Sequence, residues 1–464
     1  MRLSTATAAA LSPVVERPGY DREAQAIGHV HLGLGAFHRA HQAIYTDDAL
    51  RAGDRDWAIA GVSMRSPTVR DALVPQDGLF TVTERDAGAA KTRLVGSIRD
   101  VLVAAERPDA VAVLIAAPSV GIVTLTVTEK AYWLRPDRTL DEDAVAAAGN
   151  TIYHLLTDGL RRRRDAGLGG VTILSCDNLP GNGALLGSAL AAWIERIDPT
   201  LRRWVERGCA TPSSMVDRIV PAVTADDLAA TASAIGLRDE GAVVTEPFRQ
   251  WVIEDRFAGA RPRWEAGGAQ FVDDVAPFEA AKLRMLNGAH SALAYLGLLA
   301  GHSFVHEAIA DPAIAHDVEA LMRDEAAASL TPAPGQDLNA YADALLARFR
   351  NPALGHRLAQ IGNDGSQKLP QRWLAPLADN AAAGRRARHT LRALAAWLLH
   401  VRGDGAPVND PLAARLAAAW ADAGAQGVVT AVLGPAGLLG GGWTPDAQDI
   451  AILRQELANL DARG

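Results

Sequence analysis

The chain is poor in cysteine, with Cys176 and Cys209 alone among 464 residues. That excludes a disulfide scaffold, gives no spacing for a zinc site, and fits a reducing, cytoplasmic setting. It also lacks an excess of positive charge. The formal net charge is -8, so there is no basic footprint and no nucleic-acid partner is expected. Long apolar runs are missing as well. The stretch AVAVLIAAPSVGIVTLTV is interrupted by Pro118 and Gly121, so it reads as buried strands and turns, and no membrane span is expected. The opening residues MRLSTATAAALSPVV have no sustained apolar core, and a lead-in is expected rather than a signal peptide. No internal repeat or low-complexity linker is present, which leaves nothing for a polymeric scaffold to be built from.

What is present is a mixture of apolar and charged residues in globular proportion, 49% and 22%. The length predicts at least two domains. The first half alternates between strand and helix patterns. AIGHVHLGLGAF reads as a strand entering a glycine turn, HRAHQAIYTDDALRAG as a helix, and DWAIAGVSM as a second strand. LFTVTE, TRLVGSI, AVAVLIAAPS and VTILS follow as strand candidates, and NGALLGSALAAWIERI as a helix. This alternation predicts an open α/β sheet. A connector read as rich in loops follows, and beyond residue 276 the pattern is almost wholly helical. The domains are placed at 1–255 and 256–464.

The segment VHLGLGAFHRAHQ puts Gly33 and Gly35 between a strand and a helix. In a dinucleotide-binding turn the first would allow the tight bend. The second would let the backbone of Gly33, Leu34, Gly35, Ala36 and Phe37 approach a pyrophosphate. His38 stands where the fingerprint has its third glycine, so an ordinary strand–helix turn fits too. After the second strand comes MRSP, with Arg65 and no acidic residue. An acid there would hold the ribose of NAD, and an Arg admits the extra phosphate of NADP; both cofactors stay open.

Two further segments carry chemistry. SCDNLPGNG follows an apolar strand, so Asp177 and Asn178 fall near the carboxyl ends of the strands, where ligands bind in such sheets. The same residues also make turns readily. EAAKLRMLNGAHSALAYLG places Glu279, Lys282, Asn287 and His290 in an apolar helical run. On an unbroken helix Lys282 and Asn287 are offset by about 140° and Lys282 and His290 by roughly 80°. A regular helix scatters them unless Gly288 alters its course. A desolvated lysine could take the proton of an alcohol being oxidised, and amide and imidazole donors could stabilise its oxygen. Alternatively, Lys282 and Arg284 reach solvent and His290 is a satisfied core residue.

HLGLGAFHRAHQ, GVSMRSP, PQDGLFTVTE, TEKAY, SCDNLPGNG, EPFRQWVIEDRF and KLRMLNGAHS occur in order along the chain. Together they resemble the long-chain mannitol dehydrogenase family of polyol-specific secondary-alcohol dehydrogenases. The resemblance implies a Rossmann-like domain, a mostly α-helical C-terminal domain, and metal-free hydride transfer between NAD, with NADP as the alternative, and a sugar-derived alcohol or ketone. It implies Lys282 as the acid/base, Asn178 and Asn287 at the reacting oxygen, His290 orienting substrate, and Glu279 gating proton exchange. A monomer is implied too. A small-molecule substrate with a carboxylate would suit Lys368 and Arg372 of IGNDGSQKLPQRW through charge-assisted hydrogen bonds, with Asp177 as a further substrate contact. These segments look closest to the fructuronate reductase (D-mannonate oxidoreductase) branch, with mannitol 2-dehydrogenase as the alternative. Retention of the lysine, both asparagines and the histidine argues against a non-catalytic dinucleotide sensor.

Overall fold

In a computed structural model, which describes residues 1–88 and 90–462, the chain forms two compact units, Met1–Ala276 and Pro277–Gly464. The first unit carries the described strands. In chain order they are β1 (Ile27–Leu32), β2 (Ala58–Ser63), β3 (Phe80–Arg85), β4 (Ala90–Val95), β5 (Ile98–Val103), β6 (Ile122–Leu125), β7 (Thr172–Ser175), β8 (Ser214–Asp217), β9 (Val243–Thr245), β10 (Gln250–Glu254) and β11 (Gln270–Val272).

Five of these make a parallel sheet in the order β5-β2-β1-β6-β7. Every residue of β2, β6 and β7 is buried, which is why these strands read as continuous apolar runs rather than alternating ones. From β1 the chain steps outward through β2 to β5, then returns to the other side of β1 for β6 and β7. The reversal lies between β1 and β6, and beyond the carboxyl ends of those strands a crevice for ligands is expected.

AVAVLIAAPS is a helix rather than the expected strand. The helix Pro108–Ile115 starts with a proline at its first position and Asp109 in its first turn, both favourable at a helix N-terminus. It buries Val111, Ala112 and Ile115 and packs against the helix Ile152–Asp165, where a Cβ at Gly159 would stand 2.5 Å from Ile115. The connector also differs from its loop-rich reading. β8, β10 and β11 form a sheet in the order β11-β10-β8, and β9 joins the β3–β4 hairpin. These strands are three to five residues long, too short for a periodicity to stand out. Because β11 pairs with β10 from Gln270 to Val272, the first unit continues past 255 to Ala276.

The second unit is helical. Its central helix, Gly288–Leu299, is buried along ten consecutive residues, Gly288 to Gly297. One helix, Ala413–Leu433, is long and apolar enough by length and composition to cross a membrane. Gly424 interrupts it at φ 58°, ψ -175°, so it consists of two shorter helices across a kink. It packs Leu416, Val428, Val429, Val432 and Leu433 into the core of this unit.

Candidate active site

At the end of β1 the backbone turns at Gly33, whose φ is +98°. A Cβ there would lie 2.1 Å from the Thr126 carbonyl oxygen, so no larger residue fits against the end of β6. Gly33 and Leu34 donate their amides to Val62 O at 2.8 and 3.0 Å, tying the turn to β2. Gly35 has open space on its Cβ side, the nearest atom being Gly33 O at 3.7 Å. It precedes the helix Ala36–Ala40, which no side chain caps. Tight bend, open second glycine and uncapped helix start together fit a pyrophosphate. Arg65 is exposed just after β2, at the position where a ribose or its phosphate would be met.

His38, in place of the third glycine, is fully buried and stacks on His31 with ring centroids 3.5 Å apart. His31 in turn bonds Thr124 Oγ1 at 2.7 Å and Thr126 Oγ1 at 2.9 Å. The helix therefore meets the sheet through a pair of imidazoles instead of through a glycine. Burial holds both rings well below their ordinary pKa, and His29 beside them is lowered to about 3. All three are neutral at neutral pH.

At the end of β7 the Asp-Asn pair divides. Asp177 is turned inward, onto the loop that follows β6. Its carboxylate accepts the amides of Val127 at 3.1 Å and Thr128 at 2.8 Å and the Tyr132 hydroxyl at 2.9 Å. Burial raises its pKa, against the pull of those donors. Asn178, the next residue, is exposed. Asn182 closes the turn by donating to Asp177 O at 2.9 Å and Ser214 O at 2.7 Å.

In the second unit the segment Lys282–Asn287 is a π-helix between the α-helices Ala276–Ala281 and Gly288–Leu299. The Gly288 amide reaches back five residues to Leu283 O. A turn that closes at the fifth residue brings i and i+5 together on one face. Lys282 and Asn287 are five apart, so the offset expected of a regular helix is reduced. Asn287 and His290 are three apart, neighbours on an α-helical face. Glu279 lies one turn before Lys282. The widened turn thus brings Lys282 closer in phase to Asn287 and His290 than a straight helix would.

The junction is held from outside. Trp373 Nε1 donates to Gly288 O at 3.1 Å. Arg372 donates to Asn287 O at 3.3 Å and to Ser291 Oγ at 2.9 Å. Both belong to another π-helix, Pro370–Leu374. A Cβ at Gly288 would stand 3.5 Å from Arg372 O, an ordinary contact, so the approach itself does not demand a glycine. Glu279, Lys282 and Asn287 are half-buried. His290 is 9% exposed, with a buried Nε2 that has no hydrogen-bond partner. Burial, with His356, Arg348 and Arg372 nearby, depresses its pKa strongly, so the ring is neutral. Arg284, by contrast, runs outward to Asp379 at 2.6 Å. Lys368, one turn before Arg372, donates to Asn363 O at 2.6 Å. Burial and the Arg372 charge lower its pKa, and burial lowers that of Arg372.

Sequence reasoning did not single out Thr128, Tyr132, Ser291, Arg348, His356 or Trp373. The sequence signal for Tyr132 was its place in TEKAY. Thr128 shares that motif, Ser291 closes KLRMLNGAHS and Trp373 closes IGNDGSQKLPQRW, whereas Arg348 and His356 carried no signal. Among the described residues no group of three or more His, Cys, Asp or Glu side chains is arranged to hold a metal.

The family model described as the mannitol dehydrogenase Rossmann domain matches residues 27–266, and the mannitol dehydrogenase C-terminal domain matches 274–454. The chain belongs to the mannitol dehydrogenase family. It is an oxidoreductase of that family, with the Rossmann-type domain first. The D-mannonate oxidoreductase of Escherichia coli is 39% identical over 97% of this chain and 96% of its own length. The mannitol 2-dehydrogenase of Phaeosphaeria nodorum is 36% identical, covering 96% of this chain and 81% of its own. The solved mannitol 2-dehydrogenase of Pseudomonas fluorescens, in ternary complex with NAD and D-mannitol, superposes with a TM-score of 0.81 at 34% identity, over 100% of this chain and 98% of that one. The family is thereby fixed, while sugar-acid and polyol relatives stand at similar distances.

Proposed function

We propose that the protein is a fructuronate reductase, an NAD-dependent enzyme that reversibly interconverts D-mannonate and D-fructuronate, acting as a cytoplasmic monomer. The cofactor assignment follows from the open turn at Gly35 and the NAD-bound Pseudomonas relative. When bound, the nicotinamide supplies the hydride acceptor, or the donor in reverse. The chain's own residues do the rest. Lys282 takes the proton from the substrate hydroxyl and returns it in the reverse direction, a contribution of about 10²–10⁴ in rate for a general acid–base group. Asn178 and Asn287 donate amide hydrogens to the oxygen on which charge develops. His290, neutral because it is buried, orients the hydroxyl through a hydrogen bond. Glu279 passes the proton between Lys282 and water.

The observation that carries the sugar-acid reading is the seat of Arg372. Its guanidinium rests on Asn287 and Ser291, on the same stretch of helix as the proposed catalytic groups, through uncharged acceptors. Lys368 stands one turn away, where burial and the Arg372 charge disfavour its charged form, and burial disfavours that of Arg372. A substrate carboxylate would relieve both through charge-assisted bonds. A polyol has no such charge. The second reading, mannitol 2-dehydrogenase, is favoured by the mannitol-bound relative.

The test is a panel of fructuronate, tagaturonate, fructose, mannitol and arabinitol, each with NAD(H) and NADP(H). Fructuronate with NADH is expected to give the highest kcat/KM. Arg372→Ala should lower kcat/KM on fructuronate by roughly 30-fold or more, the loss of a charged bond of about 2 kcal/mol. Its effect on any polyol should be much smaller. Equal losses on both classes, or a polyol as the best substrate, would reject the sugar-acid assignment.

A further inference from the structure

Thr128 has φ +71° and ψ 157°. This region is essentially reserved for glycine, and a β-branched residue there is a true outlier. Such a conformation persists only when its surroundings impose it. Here the imposing group is identifiable. The Thr128 amide and the Val127 amide before it both point at the Asp177 carboxylate, which the Tyr132 hydroxyl also meets. Tyr132 is fixed in turn at 2.6 Å from Ser175 Oγ. The side chain of Thr128 is exposed, so packing does not hold it in place.

The strained segment stands between two functional pieces. On one side, Thr126 O and Val127 Cγ1 form the floor against which Gly33 turns, at 2.1 and 3.1 Å from where a Cβ would be. Thr126 Oγ1 also donates to Gly33 O at 2.9 Å. On the other side is Asp177, whose neighbour in the chain is Asn178. We propose that Asp177 is a positioning residue: its carboxylate, through the amides of Val127 and Thr128, clamps Thr128 in a glycine-only conformation, and so sets the cofactor turn at Gly33 in register with the amide of Asn178. The pair Asp177-Asn178 then divides its labour, one side chain bracing the crevice floor and the other facing the substrate oxygen. This rests on the assignment of Asn178 to the reacting oxygen.

The clamp is tested by suppression. Asp177→Asn replaces an acceptor-only group by one that also presents donors to the two amides. It should lower kcat by roughly 10- to 100-fold, the scale of a small misplacement of reacting groups, and raise KM for NAD. Glycine adopts the Thr128 conformation unaided. In a Thr128→Gly background, adding Asp177→Asn should therefore cost no more than about twofold, within the usual additivity error. In a Thr128→Val background, which keeps the branched side chain, the full loss should remain. Tyr132→Phe provides a second, milder perturbation of the same carboxylate. Its smaller loss should also vanish beside Thr128→Gly, which keeps the test available if Asp177→Asn does not fold. Equal losses in the Thr, Gly and Val backgrounds would overturn the clamp and place Asp177 at the substrate. Undiminished activity of Asp177→Asn would overturn it as well. Asn178→Ala serves as the separate control. If that variant is fully active, the assignment of Asn178 fails, whatever the suppression shows.

Discussion

At the end of β7 two adjacent polar residues are set by a loop of a few residues. In the second unit four polar residues spread over twelve positions are set by one long helical segment. The facing loop after β6 carries its strongest departure from regular backbone at Thr128, and the buried Asp177 carboxylate holds it there. The helix spreads its departure over a whole π-turn and holds it with Trp373 and Arg372 on the carbonyls of Gly288 and Asn287. In both places an irregular backbone is stabilised by side chains from elsewhere in the same unit. The difference is in what must be ordered. A point strain can be relieved by one glycine, whereas a widened turn changes the phase of everything after it.

The largest expected effect falls on the helical side. Lys282→Ala should lower kcat/KM by at least ~100-fold at neutral pH, as for loss of a general acid–base group, while the melting temperature stays close to that of the parent. Steady-state kinetics on the best substrate of the panel decides it. Near-normal activity would remove the helix from the chemistry and leave the strand end alone.

That helix also shows what a sequence can and cannot convey. The residue types and their spacing were legible in KLRMLNGAH, and so was the strand entering a glycine turn. The π-turn was not. A regular α-helix through Ala, Leu and Met is the local preference, and the extra residue in the turn is stabilised by Trp373 and Arg372, distant in sequence. The conformation of Thr128 was hidden for a similar reason, since nothing in TVTEK asks for a glycine-like backbone. The bonds that Asp177 makes to the loop were hidden because a polar residue at a strand end looks the same whether it faces ligand or loop. His38 could be recognised as a departure from the glycine fingerprint, but not as one half of an imidazole stack with His31. The β3–β4 hairpin was legible in LFTVTE and TRLVGSI, but β8 to β11 went unseen because strands of three to five residues carry too few positions to display a period.

An intermediate effect tests whether the two regions serve one oxygen. Asn178→Ala and Asn287→Ala should each lower kcat by about 10²-fold, the usual loss for one donor to a developing oxyanion. If both amides meet the same oxygen, the double variant should lose much less than the product of the two, because groups that act as a unit are non-additive. Strictly multiplicative losses would mean that the strand end and the helix act at separate atoms.

The smallest effect is on stability, and it separates the regions by sign. Burial lowers the pKa of His290 from 6.5. Below pH 6.5 the unfolded chain binds a proton at this site that the folded chain refuses, so stability falls as pH falls, by at most about 1.4 kcal/mol per pH unit. Burial raises the pKa of Asp177 from 3.8. Just above pH 3.8 the folded chain keeps a proton that the unfolded chain has released, so this group lowers stability as pH rises toward its folded pKa and costs a constant amount above it. Denaturant titrations from about pH 8 to about pH 4 should therefore change slope in opposite directions. His290→Gln should flatten the loss of stability on the acid side of pH 6.5. Asp177→Asn should remove a loss that sets in on the alkaline side of pH 3.8. If the two substitutions shift the slope in the same direction, one of these buried groups is not in the environment described, and the contrast between a braced strand end and a desolvated helical imidazole fails at that residue.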